Sequence, residues 1–228
     1  SFDPREFINT RPMWFRKLVL VLEWAHVPAV DIVIHYMVIF MPFFSDIAEH
    51  RSRRGKVLKL LAVRSALFAV IGWISLPALL LYGLAWTLMV CVMRLSDMHQ
   101  HTYEPVVQVV DGKLELPHVG DRDYEQSNTF SNLVSRRWPV LNLLLLNFSY
   151  HNAHHDKPVV PWHRLPKVHQ ELFGDDYRQV IYMRELLGNY HRHRLHRVVS
   201  DDYGQLGDGP RRTDTFYGAV GLSFLAVL

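Results

Sequence analysis

The chain has 228 residues and a formal charge of +3, with 49% hydrophobic and 21% charged residues. That leaves room for one or two domains and slightly too little charge for an ordinary soluble one. A single cysteine excludes a disulfide framework and a cysteine-based zinc site, and so mild a net charge gives no reason to expect a nucleic-acid partner. The count that stands out is 14 histidines.

Residues 1–16 are polar and aromatic, contain Pro4 and Pro12, and read as a surface lead-in. They lack the charge pattern and apolar core of a signal peptide, and the first residue is serine, so the chain is expected to begin mid-protein. Residues 17–44 are apolar but interrupted by Glu23, His26, Pro28, Asp31 and His35. Such groups make a clean span costly. The segment is either a kinked span or a set of interfacial helices, and the interfacial reading is preferred. His26, His35 and Asp31 are expected to form a hydrogen-bonded polar group within the fold.

Arg51 to Lys56 is a basic cluster that reads as a positive-inside anchor beside an apolar block. From Ser65 to Met93 there is no Asp, Glu, Lys or Arg. About 20 apolar residues suffice to cross a bilayer as helix, so this run marks an integral membrane protein. One straight helix over the whole block would overshoot the hydrocarbon layer. Gly72 and Pro77 bracket a turn, giving helices over roughly 57–73 and 77–98. The hairpin returns His99 and His101 to the side of the basic cluster, the cytoplasm by charge bias. A single tilted helix would put them on the opposite side.

Residues 104–137 are polar, include a turn at Asp111-Gly112, and are placed outside the bilayer. Pro139 is expected to start a helix through Leu141–Leu146, too short to span and therefore buried or interfacial. Residues 156–175 are proline-rich and aromatic, 176–200 read as one helix with Arg and His on one side, and 204–215 are rich in Gly and Asp. The apolar end over 216–228 reads as cut short.

Two histidine groups carry chemistry. His151-Asn152-Ala153-His154-His155 spaces three imidazoles at i, i+3 and i+4, one face of a helix. Such a face can hold one metal or straddle two, and imidazole suits iron, zinc and copper. The bland alternative, three solvated histidines, fits poorly with the adjacent leucine run and small Ala153. Asp97-Met98-His99-Gln100-His101 closes the long apolar block. Asp97 and His101, four apart, are either ligands or an interfacial anchor. His99 points elsewhere on a helix and reads as a bystander. His191, His193 and His196 sit among Arg192, Arg194 and Arg197, whose charge repels a metal cation, so they read as a basic solvated or headgroup-facing surface. His118, His163 and His169 lie in loop-like sequence.

Asp97-x-x-x-His101, a polar stretch, and His151-x-x-His154-His155 before a proline-rich loop together resemble the membrane fatty acid desaturases. Gln100-His101-Thr102-Tyr103-Glu104 and Asn147-Phe148-Ser149-Tyr150-His151 give the wording a bacterial look. The resemblance covers residue 50 to about 170. It implies an all-α fold: an integral membrane helical bundle with a cytosolic helical cap carrying histidine boxes. The whole of 1–228 would be the C-terminal part of one desaturase-like domain, because no HxxxH and no earlier HxxHH box precedes residue 99. Those boxes would lie upstream, and the chain alone would be inactive.

The implied activity is O2-dependent introduction of a double bond into the fatty acyl chain of a lipid. The implied cofactor is two iron ions. His101, His151, His154 and His155 would be ligands, their rings within roughly 4–8 Å of one another. Asp97 would bind directly or through water, and Asn147 would orient a ligand from behind. Leu143–Leu146, Phe148 and Tyr150 are candidate walls of an acyl tunnel. Electrons would come from a carrier such as a ferredoxin or a cytochrome b5-like protein, for which Arg192–Arg197 offer a docking charge. The setting would be a bacterial inner membrane with the site on the cytoplasmic side. A lipid or carotenoid hydroxylase or ketolase with the same metal centre is the nearest alternative. A metal-binding transport protein is the more distant one, disfavoured by the absence of charge in 65–93.

Overall fold

The uncharged run between Ser65 and Met93 folds as two helices. In the computed structural model, which describes residues 4–44, 48–102, 108–110, 113–115, 121–174, 177–200 and 202–219, these are α5 (Arg54–Ile74) and α6 (Leu76–Asp97). Ser75 separates them in an extended conformation, and its hydroxyl accepts a hydrogen bond from the Ala78 amide at 3.3 Å. Pro77 stands in the first turn of α6, where a missing N–H costs nothing. The helices fold back on each other: a Cβ on Gly72 would lie 3.1 Å from Leu79, and the Phe68 and Tyr82 rings are 5.3 Å apart. The break expected between Gly72 and Pro77 therefore falls at one residue, and the hairpin is the fold adopted.

No residue of α5 is buried, and in α6 only Val90 and Arg94 are. Largely apolar helices with so little buried surface suit an apolar solvent. Both are long and apolar enough to cross a membrane. The segment before them forms α1 (Pro4–Asn9), α2 (Met13–Trp24), α3 (Ala29–Phe44) and α4 (Ala48–Ser52). The 12 residues of α2 and the 16 of α3 fall short of a span. Pro42 sits inside α3, and its carbonyl accepts from Arg54 Nε at 2.7 Å.

A buried ionic group fixes this segment to α6. Arg94 reaches Glu23 Oε2 at 2.8 Å and Asp31 Oδ2 at 3.3 Å, and Glu23 Oε1 accepts the Val30 amide at 2.9 Å. Asp31 thus pairs with Arg94. His26 meets His191, Nε2 to Nδ1 at 3.2 Å, and His35 packs edge-on against Trp86.

After α6 the described chain is made of short elements. β1 (Gln108–Val110) pairs antiparallel with β2 (Lys113–Glu115). Then come α7 (Arg122–Ser127), β3 (Ser131–Leu133), a 3-10 helix over Pro139–Leu145, α8 (His151–Asp156), a 3-10 turn over Trp162–Arg164 and α9 (Leu165–Phe173). β4 (Val180–Tyr182), parallel to β3, precedes α10 (Met183–Arg192) and α11 (His196–Val199). The fold is mostly helical, and these strands are its departure from all-α. The single helix expected over 176–200 is a strand and two helices. Its basic face is not uniformly solvated either: Arg197 is buried among the Tyr190 carbonyl, the His193 carbonyl and Met98. Burial, aided by the Arg94 charge, brings its guanidinium down to about 9. His169, expected in a loop, is a buried residue of α9. The Asp111-Gly112 turn, His118, Tyr103, Glu104 and residues 220–228 lie outside the described residues.

Three apolar clusters hold these pieces. Ile8, Val19, Val30 and Ile34 pack with Val198, so the N-terminal helices rest on α11. Phe130, Ile181, Leu186 and Phe216 form the second cluster, and Leu133, Tyr150, Ala153 and Leu165 the third, directly behind α8.

Candidate metal centre

α8 is one and a half turns long, and its N-terminus follows a sharp reversal. Leu146 and Asn147 both adopt left-handed backbone, φ 49° and 57°. Such a conformation costs a leucine roughly 1–2 kcal/mol, so packing must impose it. The buried Asn142 side chain does so from one side. Its Oδ1 accepts the Val134 amide at 2.8 Å, and its Nδ2 donates to the Ser135 carbonyl at 2.7 Å and to Tyr150 Oη at 3.2 Å. Asn147 Nδ2 donates to the Trp162 carbonyl at 3.3 Å. Asn147 therefore precedes α8 in a turn and braces the loop behind it; it does not sit one helical turn below His151.

The second tie is Asn152, the residue inside the HxxHH box that spacing alone does not single out. It is fully buried; its Nδ2 donates to the Thr129 carbonyl at 2.7 Å and its Oδ1 accepts from Ser131 Oγ at 2.8 Å. Thr129 in turn bridges His101 across a backbone pair. One buried amide thereby fixes the distance between α8 and the strand-like stretch carrying His101.

The result is a convergence of ring nitrogens. His151 Nε2 lies 2.8 Å from His101 Nε2 and 3.1 Å from His155 Nε2. One ligand atom from each of these residues lies within 4.8 Å of the others. Ring centroids are 4.7 Å apart for His101–His151, 4.8 Å for His101–His155 and 4.6 Å for His151–His155. A neutral imidazole nitrogen either donates one hydrogen or accepts one, so His151 Nε2 cannot make a full hydrogen bond to both neighbours. A cation at the meeting point takes all three lone pairs. The donor set thus suits a metal better than it suits itself.

Protonation favours the same role. Burial brings His101 down to about 3, with the neighbouring His155 adding to it, and His155 down to about 4. His151 is held well below the usual imidazole range by burial and then by His101, His155 and His154. All three are neutral at pH 7, the form that ligates. The Thr129 hydroxyl donates to the Glu125 carbonyl at 2.6 Å, so towards His101 Nδ1, 3.5 Å away, it can only accept. That contact favours the tautomer with a hydrogen on Nδ1 and a free lone pair on Nε2.

His154 stands beside this group. Its ring centroid is 5.9 Å from that of His151 and 6.1 Å from that of His155, and it packs on Phe148 at 5.1 Å. Asp97 is the last residue of α6, so His101 lies beyond the helix and the two do not share a helical face. Asp97 instead lines an apolar cavity of about 460 Å³ with Val92, Met93, Leu145, Phe148 and Ser149. Gln100 completes that lining, next in sequence to His101. The cavity therefore lies between the end of α6 and the stretch Leu144–Ser149 that leads into α8. His99 is fully buried against Phe216, 5.2 Å between rings, away from the cluster. His193 bonds the Asp214 carbonyl at 2.9 Å, and the His196 ring lies 6.1 Å from it.

A family model described as fatty acid desaturase matches residues 2–187. Searches of curated proteins and of solved structures return no match.

Proposed function

Because the chain belongs to the fatty acid desaturase family, we propose that it takes part in O2-dependent introduction of a double bond into a fatty acyl chain of a lipid. The observation that supports this reading is the meeting of His101, His151 and His155 nitrogens from two distant stretches, with a mostly apolar cavity lined by Gln100 and Phe148, residues close in sequence to them. Members of the family generally use a diiron centre. Here His101, His151 and His155 would hold iron, with His154 and Asp97 serving a second ion directly or through water. Two irons need more donors than these five residues supply. When bound, the irons supply the oxidation with O2 that an unactivated methylene pair requires.

The protein's own residues contribute position and exclusion. Asn152 and Thr129 hold the ligand rings at fixed separation before any metal arrives, so little ordering remains to be done on loading. Met93, Leu145 and Phe148 offer the acyl chain an apolar wall and keep water from the reacting carbons. No acid or base among these residues is asked to remove a C–H proton. Electrons would come from an external carrier such as a ferredoxin or a cytochrome b5-like protein. On the basic surface, Arg192 is exposed whereas Arg197 is buried, so docking charge rests on fewer residues than the sequence suggests.

The test is acyl-chain analysis of lipids from cells expressing the full coding region. A new double bond that disappears in His151→Ala, with membrane insertion unchanged, supports the reading. A hydroxylated or ketone product would move the protein to the related hydroxylases and ketolases, and no change in any acyl chain would defeat the reading.

A further inference from the structure

The 3-10 helix over Pro139–Leu145 is folded inside out. Its polar side chain, Asn142, is fully buried and spends its amide on Val134, Ser135 and Tyr150. Its apolar side chains face outward: Leu144 is 76% exposed, Val140 64% and the preceding Trp138 59%, with Leu141, Leu143 and Leu146 also exposed. A helix on a water-facing surface shows the opposite pattern. A contiguous apolar patch of this kind marks an interaction site.

Its position beside the end of α6 points to what covers it. Leu144, Leu145 and Leu146 share a cavity wall with Val92, Met93, Ser96 and Asp97 of α6, so the patch lies level with the final two turns of that helix. On another side of α6, Cys91 Sγ is 3.5 Å from the His26 carbonyl, which places the end of α2 at nearly the same level. There the last turn of α2 exposes Val21 and Trp24. Two elements from distant stretches thus present apolar residues and tryptophan at one height, where the apolar hairpin ends. Exposed Arg136 and Arg137 precede the patch, with the Arg137 guanidinium 5.8 Å from the Trp138 ring. Basic residues and tryptophan flanking an apolar face are the signature of an interfacial membrane element.

We propose that Trp138–Leu146 inserts into the acyl-chain layer of the bilayer and gives the cavity beside α6 a mouth that opens sideways into the lipid. Substrate then enters laterally, as an acyl chain already resident in the membrane, and not from a soluble carrier. The entry step rests on the desaturase reading; the insertion does not.

Insertion is tested in the full-length protein reconstituted in vesicles of phosphatidylcholine and phosphatidylglycerol. A Val140→Cys variant in a Cys91→Ser background carries an environment-sensitive fluorophore. We expect at least a twofold loss of fluorescence with doxyl-labelled acyl chains in the bilayer and little with aqueous iodide. Quenching by iodide would overturn insertion, and so would protection from both quenchers, which would mean that protein covers the patch. Entry is tested with Val140→Glu/Leu141→Glu, neither of which lines the cavity. KM for a bilayer-resident acyl lipid should rise about tenfold, while turnover of a short acyl ester dispersed in detergent stays at the parent level. Equal losses on both substrates would overturn lateral entry. Lipid quenching without turnover of any acyl substrate by the parent would instead leave insertion standing and remove the desaturase reading.

Discussion

Arg94→Met leaves two carboxylates in the dark. Glu23 and Asp31 are 3% and 1% exposed, and Arg94 neutralises both at 2.8 and 3.3 Å. At an effective dielectric of about 20 these contacts are worth roughly 6 and 5 kcal/mol gross, most of it offset by the cost of burying the charges. Removing one partner restores none of that hydration, so the expected loss is about 3–5 kcal/mol. Arg197, which interacts electrostatically with both carboxylates, keeps the loss near the lower end. For a chain of this size that is a fall of about 6–12 °C in the unfolding midpoint, read by thermal denaturation in detergent. Neutralising the whole group tells charge from packing. In Glu23→Gln/Asp31→Asn/Arg94→Met, the new side-chain amide oxygen still accepts from the Val30 amide, and most of the lost stability should return. A loss below about 1 kcal/mol in Arg94→Met, or a triple variant no better than the single one, would refute the reasoning.

Other consequences are as direct. His169 is buried against Tyr150 and Phe173, and burial, with Arg136 adding to it, brings its imidazole to about 4 from an unfolded value of 6.5. A depressed folded value means that the contribution is intact above 6.5 and is lost as pH falls towards 4; the loss at pH 5 should be about 1–2 kcal/mol. His169→Phe should flatten that dependence, and midpoints measured at pH 5 and 7.5 that differ as much as in the parent would contradict it. Leu145→Trp fills part of the 460 Å³ cavity, so acyl products should shift to shorter chains or KM should rise about tenfold with iron content unchanged. His193→Ala removes a contact to the Asp214 carbonyl and should leave product formation nearly intact in the same lipid assay.

What was legible in the sequence follows local patterns. The absence of charge from Ser65 to Met93 announced two long apolar helices, and Gly72 and Pro77 located the break between them to within a few residues. The spacing of His151 and His155 put both rings on one side of a short helix, because helical period is a local property. What escaped was long-range. Nothing in sequence joins Glu23 and Asp31 to Arg94, or shows that Arg197 turns inward while Arg192 stays out. Asn152 looks like a spacer until its amide is seen to bridge Thr129 and Ser131. Helical arithmetic misled at Asp97 and His101, since α6 stops at Asp97 and His101 is carried by the pairing with Thr129. Over Pro139–Leu145 the sequence left buried and interfacial placements open, and long-range packing decides between them: Asn142 turns inward and the leucines turn out.

Iron bound to the intact protein tests the central claim most directly. Metal analysis of full-length material purified from membranes should find iron, with most of it lost in His151→Ala and none lost in His193→Ala. Iron-free parent protein, or His151→Ala retaining the parent's iron, would contradict the account.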